Sequence, residues 1–69
     1  MTLDEIGNAF TYHAPKGDQT KRYGDIREAA KQLAYVIHQC TPECADQTVA
    51  IRKVREAVMI ANAAIAINE

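Results

Sequence analysis

Apolar residues recur along this chain at two helical spacings, separated by one irregular stretch. From Tyr23 the apolar positions are Ile26, Ala30, Leu33, Ile37 and Cys40, a 3-4-3-4-3 spacing that places them on one helical face. Asp18 suits the N-cap, so the pattern predicts a helix over Gln19–Cys40, ended by Thr41-Pro42. A second seam, Ile51, Val54, Val58, Ala61 and Ile65, predicts a helix from about Glu43 to Asn68, with Thr41 as its N-cap and Pro42 in its first turn. Beside that seam runs another stripe of Ala50, Ala57, Ile60, Ala64 and Ile67. From Ala57 to Ile67 only Asn62 is polar.

Two long helices joined by a short turn pack as an antiparallel hairpin. The expected fold class is therefore all-α, a two-helix hairpin. A helix apolar nearly all round must be covered nearly all round, and one partner helix covers one face. The pattern predicts a homo-oligomer with the last helix at its centre. Before the hairpin, Thr2 and Glu5 fit a capping box for a short helix ending near Gly7-Asn8. The segment Phe10–Asp18 contains Pro15 and Gly17 and has no helical period, so it reads as an ordered loop anchored by Phe10 and Tyr12.

Length sharpens the oligomer expectation. The 69 residues make one domain, 1–69. Cores of this size rarely supply more than about 3–5 kcal/mol without a disulfide, a metal or a partner chain. Cys40 and Cys44 form a C-x3-C pair with no second pair to complete a structural zinc site, and a bridge between them closes only a tiny loop. No metal and no cofactor is expected. Hydrophobic residues at 48% and charged residues at 25% argue against disorder. Eight Lys and Arg against nine Asp and Glu give a formal charge of −1, which disfavours a nucleic-acid polymer as partner. No apolar run reaches the roughly 18 residues of a membrane span, and no signal peptide opens the chain, so the expected compartment is the reducing cytoplasm. The pairs Lys21–Asp25 and Arg52–Glu56 sit at i,i+4 and read as solvated-face contacts.

Motifs for enzymatic chemistry are missing. There is no nucleophile elbow, phosphate-binding glycine loop, H-E-x-x-H or aspartate pair. His13 beside Tyr12 has no neighbouring nucleophile or second base and reads as a local hydrogen-bonding group that orders the loop. A binding cluster is more suggestive. Tyr12, His13, Lys16, Lys21, Arg22, Tyr23 and Arg27 fall within sixteen positions. Lys and Arg hold phosphate, aromatic side chains and His stack on bases, and the amides near Asp18–Lys21 start a helix that can receive an anion. Taken singly, Tyr23 reads as core and Lys21 and Arg22 as surface. Asn62 is either a register-setting polar contact between helices or a hydrogen-bonding group in a ligand pocket.

At these residues the chain resembles a known family. Phe10-x-Tyr12-His13-x-Pro15-Lys16, then Gln19-x-x-Arg22-Tyr23-x-x-Ile26-Arg27-x-x-Ala30, then Ala57-Val58-Met59-x-Ala61-Asn62-Ala63-Ala64-Ile65-Ala66 are similar to the helical-hairpin domain of phage anti-CBASS and anti-Thoeris sponge proteins. The resemblance implies a non-enzymatic phage or prophage protein of the host cytoplasm. It implies a homohexamer of hairpins that traps a cyclic dinucleotide, a cyclic trinucleotide or a cyclised ADP-ribose. It places Arg27 and Asn62 near the ligand, and with the cluster above the expected binding residues are Tyr12, His13, Lys16, Arg22, Arg27 and Asn62. Where the family's turn often reads Pro-Asp-Ser-Arg-Glu, this chain has Pro42-Glu43-Cys44-Ala45-Asp46, so Ala45 replaces an Arg implied to hold phosphate of a cyclic trinucleotide. Ile60 and Ile67 replace an aromatic and a basic residue. The alternative is a structural or interaction hairpin without a small-molecule ligand. An enzyme using His13 ranks last.

Overall fold

A computed structural model describes all residues, 1–69, as three helices and no strand: α1 over Leu3–Ala9, α2 over Gln19–Cys40 and α3 over Ala45–Asn68. The α2–α3 pair forms the antiparallel hairpin, and the whole molecule is a slab of 44 × 28 × 12 Å. Its thinnest dimension matches the diameter of one helix with its side chains. α1 starts as the capping pattern requires, with Thr2 Oγ1 accepting from the Glu5 N–H at 3.1 Å.

The bounds of α2 are those the sequence predicts, but its N-cap works differently. Asp18 makes no side-chain cap bond, because its Oδ1 accepts from Arg22 Nε at 3.2 Å instead. The start of α3 lies two residues later than expected, and Cys44, not Thr41, is its N-cap. Proline drives the residue before it into an extended conformation. Thr41 accordingly has φ −127° and ψ 153°, and its hydroxyl donates back to the Ile37 carbonyl at 2.6 Å. That hydroxyl finishes α2 and does not cap α3. Two further carbonyls of the turn are met by Gln47, whose Nε2 donates to those of His38 and Thr41 at 3.2 Å each and lies 3.1 Å from Thr41 Oγ1.

The contact face of α2 is also rotated relative to the heptad reading. Ala34 is half-buried, while Leu33 is 50% exposed and Cys40 is exposed. On α3 the first seam, Ile51, Val54, Val58, Ala61 and Ile65, is half-buried as expected. In the second stripe Ala57, Ile60 and Ala64 are exposed. No apolar side chain is fully buried in the single chain, and the two buried residues are both amides, Gln19 and Gln47. The two amides sit at opposite ends of the hairpin, one at each junction where chain segments meet.

Phe10 and Tyr12 are not anchors of the loop. They are 88% and 83% exposed. Polar bonds order this segment instead: Thr11 Oγ1 donates to the Gly7 carbonyl at 2.6 Å, and His13 Nε2 lies 2.9 Å from the Asn8 carbonyl. Asn8 Nδ2 in turn donates to the Ile67 carbonyl at 3.1 Å, tying α1 to the end of α3. Gly17, at φ 58°, occupies the left-handed region that leads into α2. Of the predicted surface pairs, Lys21–Asp25 forms at 2.9 Å, whereas Glu56 takes Lys53 at 3.3 Å rather than Arg52. No helix is long and apolar enough to cross a membrane.

Candidate anion-binding site

The α2–α3 seam leaves a groove along each flank. One groove, of about 500 Å³, is lined by Ile26, Ala29, Leu33, Ala57 and Ala61 with Lys53 as its one charged residue. The other, of about 460 Å³, carries Arg27 and Lys31 from α2 and Arg55 from α3 over a floor that includes Ala34, Ile51 and Met59. Ala30, Val54 and Val58 line both. The cationic groove follows from helical geometry. Arg27 and Lys31 are one turn apart on α2, and the antiparallel crossing presents Arg55 on the opposing wall.

The electrostatics of that groove set it apart from the rest of the surface. Lys21, Arg22 and Lys53 are each paired with a carboxylate, whereas Arg27, Lys31 and Arg55 pair with none. Arg52, next along α3, is also without a carboxylate and borders Arg55 in a shallower hollow with Glu56 and Met59. Three unneutralised cations around an apolar floor can take an anion with flat or apolar parts, phosphate oxygens to the guanidinium forks and the remainder against the aliphatic side chains.

The sequence cluster divides between two places. Arg27 belongs to the cationic groove. Lys16 and Arg22 lie at the far end of the hairpin and meet on Glu69. Lys16 Nζ donates to the main-chain oxygen of Glu69 at 2.9 Å, Arg22 Nη1 donates to its Oε2 at 2.8 Å, and Arg22 Nη2 donates to its Oε1. The buried Gln19 adds a bond from Nε2 to Oε1 at 3.3 Å. The Arg22 fork, with Gln19 beside it, holds the Glu69 carboxyl far below its usual range, at about 2, and the same pairing pushes the Arg22 guanidinium upward. Tyr12 projects from the loop, and His13 is engaged with Asn8. Asn62, on the half-buried side of α3, carries the one buried side-chain polar atom without a hydrogen-bond partner, its Oδ1. Lys31, Arg55 and Gln19 are not among the binding residues that the sequence predicts. Folding the chain about Pro42–Glu43 sets Lys31 against Arg55, so the pairing is readable once the hairpin is assumed. Cys40 and Cys44 are free and exposed.

The helical hairpin agrees with the comparison against protein families. A family model described as the Acb2/Tad1 hairpin domain matches residues 3–66. The chain belongs to this family. Acb2/Tad1 proteins are anti-CBASS and anti-Thoeris sponges, which sequester signals rather than catalyse a reaction. Among curated proteins none matches this Acb2/Tad1 hairpin, and among solved structures none matches it either. The match spans α1, the loop and nearly all of α3, so it includes every element that builds the cationic groove.

Proposed function

We propose that this Acb2/Tad1 hairpin is a phage or prophage sponge acting in the host cytoplasm. It binds a cyclic dinucleotide, a cyclic trinucleotide or a cyclised ADP-ribose and releases it unchanged. The observation that carries the reading is the groove of Arg27, Lys31 and Arg55, three cations free of carboxylate partners on a chain of the sponge family. Phosphates take the guanidinium forks and Lys31, while nucleobases and ribose rest on the apolar floor. Capture without cleavage is supported by the family, whose members sequester signals rather than catalyse a reaction, and by a groove lined by Arg, Lys, Met and aliphatic side chains with no Ser, Cys, His, Asp or Glu among them.

Assembly into a homo-oligomer, a hexamer on the family resemblance, is supported by the exposed apolar surface of the single chain. Met59 and Ile60 are 63% and 62% exposed, and every apolar side chain retains contact with solvent. Association covers the second stripe of α3 and gives the unpaired Oδ1 of Asn62 access to a donor from a neighbouring copy or from the ligand.

Calorimetry with a panel of cyclic di- and trinucleotides and cyclised ADP-ribose tests the proposal. At least one binds, and Arg55→Ala weakens it by about 10- to 100-fold, the loss of one charge-assisted hydrogen bond of about 1.5–3 kcal/mol. Intact ligand is recovered after proteolysis of the protein. A panel that binds nowhere, or a ligand recovered as cleavage products, overturns the reading.

A further inference from the structure

A second group of cationic and amide donors lies away from the groove, at the end of the hairpin where α2 begins. Four donor atoms there converge on the oxygens of one residue: Lys16 Nζ, Gln19 Nε2 and both terminal nitrogens of Arg22, all on Glu69. Gln19 is 4% exposed, so its amide is fixed by packing rather than free to follow solvent. Its Oε1 is already committed, accepting from the Lys16 N–H at 3.1 Å, which aims Nε2 outward at the carboxylate. The Arg22 fork is oriented from behind, because Nε donates to Asp18 Oδ1 at 3.2 Å and leaves Nη1 and Nη2 for an outer anion. A fork with both terminal nitrogens on a carboxylate is also the geometry that receives a phosphoryl group.

We infer that Lys16, Gln19 and Arg22 form a preorganised anion cradle that the Glu69 carboxylate fills in cis, and that a phosphate monoester or a pyrophosphate enters it by displacing Glu69. With Glu69 in place, the charges of Lys16 and Arg22 are balanced by those of Asp18 and Glu69. Once Glu69 swings out, the cradle carries a net positive charge. A phosphoryl group offers enough oxygens to take the fork, the amide and the ammonium together. Glu69 needs both its side chain and its main chain to meet the same donors. Glu69 competes as an intramolecular ligand held in place as the C-cap of α3. The inference stands apart from the groove of the proposed function, since none of Lys16, Gln19 and Arg22 lines that groove and the ligand is simpler than a cyclic nucleotide.

The test is a titration of the full chain with inorganic pyrophosphate, and separately with adenosine monophosphate, at fixed ionic strength. The reporters are the side-chain nitrogen resonances of Arg22 and Gln19. Glu69→Gln and Glu69→Ala bind at least about tenfold more tightly than the native chain, as expected for removal of an intramolecular competitor, and Arg22→Ala combined with Glu69→Ala abolishes the gain. The two titrants separate a pyrophosphate site from a monoester site, and binding of either supports the cradle. Equal affinity of native and Glu69 variants overturns it. So do shifts confined to Arg27, Lys31 and Arg55. Should the variants lose helical content, the carboxyl carbon of Glu69 in the native chain decides: at saturating pyrophosphate it moves to the value of a free glutamate side chain, and an unmoved signal refutes displacement.

Discussion

Replacing Gln47 with alanine tests how the hairpin turn is held. The Gln47 amide is 7% exposed and its nitrogen faces three acceptors, the carbonyls of His38 and Thr41 and the Thr41 hydroxyl. An amide nitrogen has two N–H groups, so it makes two full bonds and shares the third. At about 0.5–1.5 kcal/mol net per bond, truncation costs about 1–3 kcal/mol, offset by the few tenths by which alanine is the better helix former. In a domain this small each kcal/mol is worth about 4–8 °C in melting temperature. Gln47→Glu is the sharper probe. It keeps the shape but brings a carboxylate with no N–H against three oxygens, so at neutral pH it destabilises more than alanine does. The assay is urea unfolding followed by helical circular dichroism at one fixed protein concentration, because any association makes the midpoint depend on concentration. Unfolding free energies for both variants within about 0.5 kcal/mol of native, the range of ordinary surface substitutions, would refute the account. So would a glutamate variant more stable than the alanine one.

Three further outcomes follow from the structure. Asn62→Leu removes a buried acceptor that has no partner in the single chain, so the dissociated, ligand-free chain holds or gains stability, by up to about 1–3 kcal/mol; a fall of more than about 1 kcal/mol in denaturant unfolding at concentrations below association would show that Oδ1 is paired within the single chain. Glu69 has a carboxyl pKa lowered from 4.5 to about 2, chiefly by its bonds to Arg22, so its contribution to stability is complete above the unfolded value and is lost as pH falls through the folded one. The melting temperature of the native chain therefore drops between pH 4.5 and 2 more steeply than that of Glu69→Gln, and parallel curves would contradict the pairing. Gly17→Ala places a side chain at φ 58°, which costs roughly 1–2 kcal/mol by the left-handed penalty and is read as a lower denaturation midpoint.

Much of the backbone was legible because its signals are local. Asp18, Thr41 and Pro42 bracket α2, and the spacing from Ile51 to Ile65 marks the inner face of α3. The errors came where two roles competed for one group. Thr41 reads equally well as the end of one helix or the cap of the next, and the extended backbone ahead of Pro42 turned its hydroxyl toward Ile37. Leu33 fits a heptad better than Ala34, yet close approach of the helices favours the smaller side chain at the seam. For the site, proximity in sequence misled. Lys16, Arg22 and Arg27 look like one cluster, but they run along a rod, and the hairpin deals the first two to Glu69 and the third to Lys31 and Arg55. Gln19 and Gln47 carried no warning, since polar residues in polar surroundings read as surface until a turn closes over them.

The partition between the two flanking grooves is a single side chain deep, because Ala30, Val54 and Val58 serve both. A guest in either flank therefore rests on side chains that also wall the other. Bulk added at Val58 closes two chambers at once, so neither can be remodelled alone along this line of three residues.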